Sequence, residues 1–546
     1  MGPIPSYTAL IREKSDARRE AVSLIGMTAL SGVAMGASMA VVNAVVGQGE
    51  GGATFPNLLL FALLATIFLW SRNYALSRTA IIVQAMLTRI RESIVRKLRD
   101  VDLQAIEAID RERLIKTLSH DCFVISEASE SIVIGASSAV MLLFSAFYVA
   151  TLSLFAFILL CGLVCAAIFH YRRSQRSSRA ILDAASESEN RLFESIRHLV
   201  YGFREVKIAP EKGNDLLDNY ILDYGTQAEA LRIQSQRQFL KGLASSQTFF
   251  YVLLASIIFI LPQYQVDRLI IQKITYIILF IAGPMEVFVR ALPAAIKANA
   301  AAEHIWSVEA WLEGADRDAP AAALAHDLQF QSIGLRELTF QHGEAEAGQG
   351  FRVGPIELSL RPGEIVFIAG GNGSGKSTLL LLLLGLYRPL GGQLLWNGAA
   401  VRPHNAARYR QLFSVVFADF HLFDRLYGLR ATDPGRVNEL LHRFGLDRKV
   451  KFVDGAFSTL DLSTGQRKRL AMIGALLEEK PIMVFDEWAA DQDVTSREYY
   501  YTKLLPELKA QGKTIVAVTH DDRYYGVADR VIYMEQGSIR SQEARV

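Results

Sequence analysis

The sequence predicts an N-terminal all-α transmembrane domain of six helices followed by a C-terminal α/β domain built around a P-loop, and three observations predict it. Long apolar stretches crowd roughly the first 300 residues, several of them near the about 20 residues that a bilayer-crossing helix needs. Roughly the last 220 residues instead set short apolar strands between helical stretches, as a soluble α/β domain does. Between the two lie Gly314, Ala315, Asp316, Arg317, Asp318, Ala319 and Pro320, a polar, proline-bearing stretch with the composition of a linker. The expected division is therefore 1–310, a linker at 311–327, and 328–546.

A chain of 546 residues is too long for one compact domain, and 51% of it is hydrophobic. Lys and Arg number 58 against 56 Asp and Glu, so the formal charge is +2 and no global field calls for nucleic acid. The lipid bilayer is the expected surrounding. Cys122, Cys161 and Cys165 form no CxxC pair, so neither a disulfide framework nor a zinc site is indicated.

Six spans are expected, near 21–47, 56–83, 131–150, 153–170, 243–262 and 269–292. The third and fourth are separated by only Thr151 and Leu152, which demands a tight turn. The first apolar run is too long for a cleavable signal peptide and no small-residue cleavage site follows it. Lys and Arg concentrate before the first span and in 84–130 and 171–242, and are nearly absent from 48–55, 151–152 and 263–268. The positive-inside rule then places both termini in the cytoplasm, with very short outer loops. Segments 84–130 and 171–242 are too long for turns, so spans two to five are expected to continue past the bilayer as helices. The stretches at 106–118 and 199–207 are their candidate contacts with the C-terminal half.

Charges at membrane depth cost several kcal/mol unless they pair or face a cavity. Arg72 and Arg78 interrupt the second span, and Glu286 and Arg290 lie in the sixth at i, i+4, where they can pair. Two readings stay open: all four snorkel at the inner interface, or they wall a polar cavity that contacts a cargo. Gly283 and Pro284 are expected to kink the sixth span, because proline removes one helical hydrogen bond.

In the C-terminal half, the apolar run 365–369 leads into Gly370, Gly371, Asn372, Gly373, Ser374, Gly375, Lys376, Ser377 and Thr378, and a Leu-rich helix follows. Strand, glycine loop and helix in this order are the context that gives a G-x-x-x-x-G-K-[ST] match its meaning. The backbone N–H groups would curl around phosphates, with the positive end of the helix behind them. Lys376 would reach the β- and γ-phosphates and the Ser377 hydroxyl would ligate Mg²⁺. Leu462, Ser463, Thr464, Gly465 and Gln466 form a second phosphate-type turn opening a helix. The apolar strand 482–485 ends in Asp486 and Glu487. Asp486 suits Mg²⁺ binding through water, and Glu487 suits orienting or deprotonating an attacking water. The buried strand at 514–519 ends in His520, placed to touch a γ-phosphate.

This ordered set resembles the ATP-binding cassette (ABC) proteins, and with the six preceding spans the chain looks like an ABC exporter half-transporter. The resemblance identifies 370–378 as Walker A, 462–466 as the signature, 482–486 as Walker B, Glu487 as the catalytic glutamate, Asp493 as the D-loop aspartate and His520 as the switch histidine. It implies ATP and Mg²⁺ as cofactors. It also implies a head-to-tail homodimer, with each ATP between Walker A of one subunit and the signature of the other. Three positions depart from the common pattern. His342 stands where an adenine-stacking Tyr is usual, Ala418 takes the Q-loop glutamine position with Asp419 beside it as a substitute metal or water contact, and Thr464 replaces a Gly.

The stretches 417–424, 462–470 and 486–493 look like the bacterial cyclic-peptide exporter subfamily, which includes syringomycin-type and pyoverdine-type exporters and relatives that expel microcin-like peptides. That resemblance implies an inner-membrane ATPase moving a cyclic peptide, lipopeptide, peptide siderophore or other amphipathic small molecule outward by alternating access. A lipid or lipid-linked flippase, a multidrug exporter, one half of a heterodimer and an ATP-gated sensor that transports nothing are the competing readings.

Overall fold

The computed structural model describes residues 18–47, 54–109, 111–264, 266–315, 329–342, 350–429 and 431–544. The segment before the first span up to residue 17, most of the loop at 48–55, and linker residues 316–327 lie outside the described residues. The chain divides into two units, 1–93 with 114–309, and 94–113 with 310–546. The boundary at 93/94 falls inside a helix, so a short piece of the N-terminal half belongs to the second unit.

Six long helices overlap the segments expected to span: Arg18–Gly47, Phe55–Arg99, Cys122–Leu152, Leu154–Tyr201, Leu222–Ala255, with helical turns continuing to Tyr264, and Arg268–Gly314. Among the described residues, five helical stretches are long and apolar enough to cross a membrane, and the fourth span shows a shorter apolar run, Leu154–Ala166. The expected extensions are present: Phe55–Arg99 has 45 residues, Leu154–Tyr201 has 48, and Leu222–Ala255 begins well before its apolar part. The sixth helix also continues, through Pro284, a second proline at 293 and the first residues of the expected linker, to Gly314. It stays one helix across the expected kink site. The tight turn sits one residue later than the spacing predicts. Ser153 leaves the helical region and its hydroxyl accepts from the Ala156 N–H at 3.3 Å, capping the fourth helix.

Small residues set how closely the first and third spans approach. A Cβ on Gly32 would stand 2.6 Å from Val140 Cβ, and one on Gly36 would stand 2.5 Å from a Phe144 ring carbon. The pair spaces as G-x-x-x-G, which lets membrane helices meet backbone to side chain. A buried apolar cluster including Met39, Met141, Val149, Leu253, Ile257 and Ile277 continues this packing across the spans.

In the second unit, a six-stranded sheet runs in the order β12-β11-β3-β10-β9-β6. Its strands are β12 Ser538–Ala544, β11 Arg530–Glu535, β3 Ile365–Gly370, β10 Thr514–Val518, β9 Ile482–Asp486 and β6 Phe413–Val416. All pairs are parallel except β11 with β12. The residues of β9 and β10 are buried throughout, as a parallel sheet covered on both faces requires. A separate antiparallel sheet contains β1 Ile333–Gln341, β2 Arg352–Leu360, β4 Gly391–Trp396 and β5 Ala399–Ala400.

Gly36→Val should strain the contact with Phe144 and lower stability by about 1–3 kcal/mol, read as a lower thermal midpoint in detergent. Gly26→Val is the control, because an added Cβ there meets nothing within 4 Å. Equal shifts at the two positions would sink the close-packing account.

Candidate functional site

The strand order brings three loops together. β3, β10 and β9 are neighbours, and their carboxyl ends lead into the glycine loop, His520 and Glu487. Ligands of open parallel sheets gather at such strand ends.

The glycine loop after β3 is shaped by backbone that favours glycine: φ is 149° at Gly370, 76° at Gly373 and 98° at Gly375. At Gly370 an added Cβ would also collide with the Met534 carbonyl and lie 2.8 Å from Ser374 Oγ. Gly371, Asn372, Gly373 and Ser377 are exposed, whereas Ser374, Gly375, Lys376 and Thr378 are buried. Helix Lys376–Leu383 starts directly from the loop. Lys376 Nζ donates to the carbonyls of Gly370 (3.1 Å) and Gly371 (2.9 Å). Burial pulls its ammonium below the ordinary lysine value, against the attraction of Glu487 and Asp486.

Asp486 closes β9 and is buried. Burial first, then the Glu487 charge, pushes its carboxyl above the ordinary value; a hydrogen bond from the Ala418 backbone N–H pulls the other way, Asp419 adds a repulsion and Lys376 an attraction. Asp419 itself is exposed. Two buried oxygens here, Asp486 Oδ1 and Ser374 Oγ, have no hydrogen-bond partner in the protein. Buried polar atoms are almost always satisfied, so the orphaned carboxylate oxygen of Asp486 and the orphaned hydroxyl of Ser374 each fit a site that takes Mg²⁺ and phosphate. Among the described residues no group of three or more His, Cys, Asp or Glu could hold a metal; a magnesium ion commonly takes one or two protein ligands with phosphate oxygens and water.

Glu487 adopts a left-handed backbone, φ 49° and ψ 34°. Its Oε1 lies 3.0 Å from His520 Nε2, which joins the two expected catalytic side chains in one hydrogen bond. His342 is exposed, with Nε2 3.0 Å from Thr378 Oγ1. Its ring meets Phe340 and Tyr387 edge to face, at 5.0 and 5.8 Å.

The signature residues lie on another element. Ser463 caps helix Thr464–Leu477 through a reciprocal box, with Gln466 Oε1 accepting from the Ser463 N–H at 3.2 Å. Leu462 is partly buried, packed against the domain core, and Thr464 is exposed. Asp493 caps helix Val494–Tyr499, accepting from the Ser496 N–H at 2.9 Å; that bond holds its carboxyl below the usual value. Arg72 is exposed with its guanidinium 5.8 Å from the Phe68 ring centre, Arg78 is half-buried, and Glu286 pairs with Arg290 at 2.7 Å.

Sequence reasoning missed the ties around these residues. Helix Leu103–Ala108 belongs to the second unit. There Asp102 pairs with Arg388 at 2.5 Å, Gln104 accepts from the Arg388 N–H, and Tyr387 donates to Glu107 at 2.7 Å. The stretch 106–118 was expected to make this contact, but the contacts begin four residues earlier. Lys468, on the buried stripe of the signature helix with Met472 and Ile473, was also missed. A lysine on an apolar helix face was its available signal.

The comparisons with known proteins agree with this architecture. The ABC transporter family model matches residues 353–490. The "ATP-binding protein SyrD" of Pseudomonas syringae pv. syringae is 32% identical over 536 residues, covering 94% of this chain and 93% of that protein. The chain belongs to the ABC transporter family. It is an ATP-binding, ATP-hydrolysing exporter half-transporter. An "ATP-dependent lipid A-core flippase" of Paraburkholderia xenovorans is 30% identical over 220 residues, 38% of this chain and 36% of that protein. The solved structure of a bacterial Atm1-family ABC exporter with ATP bound shares the fold, with a TM-score of 0.77 at 16% identity, covering 97% of this chain and 95% of that one.

Lys376→Ala should abolish most ATP turnover by the purified transporter. Glu487→Gln should keep ATP binding while kcat falls about 10²–10⁴-fold, the range of a lost general base. Near-normal turnover in either variant would overturn the corresponding assignment.

Proposed function

We propose that this transporter works as a homodimer and exports a peptide-type cargo, a cyclic peptide, lipopeptide or peptide siderophore, across a bacterial inner membrane with both termini in the cytoplasm. The similarity over 94% of the chain carries this reading. Cargo is handled by the membrane half, and a similarity of that extent must include it, whereas the flippase similarity, at 38%, is too short to include both halves. The motif stretches 417–424, 462–470 and 486–493 resemble the cyclic-peptide exporters in the same sense.

In the proposed cycle, cargo enters an inward-open cavity and two ATPs close the dimer, each held between residues 370–378 of one copy and 462–466 of the other. Backbone N–H groups of the glycine loop and Lys376 hold the phosphates. Ser377 and Asp486 would hold Mg²⁺, which would supply positive charge to the phosphates. Glu487 orients and deprotonates the attacking water, and His520 holds Glu487 and the γ-phosphate in register. ATP binding favours the outward state only by its greater affinity for the closed dimer. Tyr201 and Ile208, 84% and 85% exposed beside helix Phe203–Ile208, are apolar surface that a second copy would cover. Arg72, Arg78, Glu286 and Arg290 are the charged groups assigned to the cargo path.

ATP-dependent uptake into inside-out vesicles tests the cargo, with wild type against Glu487→Gln and a panel of peptide siderophores, cyclic peptides and labelled lipids. Peptide accumulation by wild type alone is expected. Lipid movement alone would make the protein a flippase, and hydrolysis that moves none of the panel counts against peptide cargo. Arg388→Ala, which removes one ion-pair partner of Asp102, should lower the cargo moved per ATP hydrolysed; an unchanged ratio would remove this contact from the coupling path.

A further inference from the structure

Lys468 is a buried lysine, its side chain 4% exposed, and lysines are almost never so buried unless paired. Its Nζ donates to the backbone carbonyl of Glu487 at 2.7 Å and pairs with Asp491 at 2.7 Å. The Trp488 indole N–H donates back to the Lys468 carbonyl at 2.9 Å, and Gln492 Nε2 donates to the Gly465 carbonyl at 3.1 Å. A Cβ on Gly465 would stand 2.6 Å from the Asp491 carbonyl, so the loop 487–492 rests directly on the first turns of the signature helix.

We propose that Lys468 is a positioning residue for hydrolysis, holding the Glu487 peptide in the orientation that aims its carboxylate at the attacking water. This rests on the reading of Glu487 as the base. Glu487 is not a glycine, yet it sits in the left-handed region, a conformation that costs about 1–2 kcal/mol and persists only where surroundings over-determine it. The bond from Lys468 to its carbonyl is such a constraint, placed on the peptide rather than on the side chain, which stays free to meet His520 and water. The lysine is neutralised by Asp491 four residues along, so the clasp closes without an unpaired buried charge. The same helix opens with the 462–466 turn, so in the proposed dimer a nucleotide seated on that turn would pull, through Lys468, on the carboxylate that serves the other nucleotide.

The test is steady-state ATPase of the full-length transporter for Lys468→Met, Lys468→Gln, Glu487→Gln and the double variant Lys468→Met/Glu487→Gln. Lys468→Met should lower kcat about 10²-fold, as a misaimed group does, with KM for ATP within about twofold. Lys468→Gln, whose amide can still donate to the Glu487 carbonyl, should recover most of kcat. In the Glu487→Gln background, Lys468→Met should change residual turnover little, because the group it aims is already gone. Wild-type kcat in Lys468→Met, no recovery in Lys468→Gln, or an equal loss in the Glu487→Gln background would each overturn the proposal while leaving the base in place. Wild-type turnover in Glu487→Gln would overturn both. If Lys468→Met does not fold, Asp491→Asn takes its place: a kcat loss at unchanged KM is expected, and an unchanged kcat counts against the clasp.

Discussion

A parallel sheet covered on both faces leaves this domain one place to present polar chemistry, the row of carboxyl-terminal strand ends. β3, β10 and β9 are adjacent, so Lys376, His520 and Asp486 with Glu487 emerge side by side. Burial near that row unsettles the charges of opposite sign: it lowers the Lys376 ammonium and raises the Asp486 carboxyl. Each is compensated only in part within the protein, the lysine by Glu487 and Asp486 and the aspartate by Lys376, and burial outweighs that compensation. A triphosphate carrying Mg²⁺ supplies an anion and a cation at once, whereas either ion alone would leave the other group unrelieved.

How much of this was legible depended on how local the signal is. The motifs at 370–378, 462–466 and 486–487 are contiguous, each an apolar element ending in a particular polar group, so they read directly from the chain. The six long helices and their extensions were legible because apolar length and basic flanks are additive along the sequence. The contacts that orient the site are not local. Lys468 meets Glu487 and Asp491 from 19 and 23 residues away, and Arg388 meets Asp102 across most of the chain. Pro284 and Pro293 both lie inside Arg268–Gly314, which continues through them as one helix. The G-x-x-x-G at 32–36 was legible and overlooked, because attention to hydropathy passes over glycine.

Residues 94–113 are held to the rest of their unit by ties that differ in strength. Lys97–Glu313 joins the ends of two long helices, but Glu313 is 65% exposed, and exposed pairs contribute about 0–1 kcal/mol. Asp102 is only 9% exposed, so its pair with Arg388 is less screened by solvent than the carboxylate of Glu313 is. Tyr387 adds a neutral anchor, donating to Glu107 while stacking on Phe340, which in turn packs against His342. A run of three rings thus leads from the helix after the second span to the residue beside the phosphate loop. The Arg388–Asp102 pair and the Tyr387–Glu107 bond come from consecutive residues, and together they anchor 102–108 more firmly than the exposed Lys97–Glu313 pair anchors its helix ends.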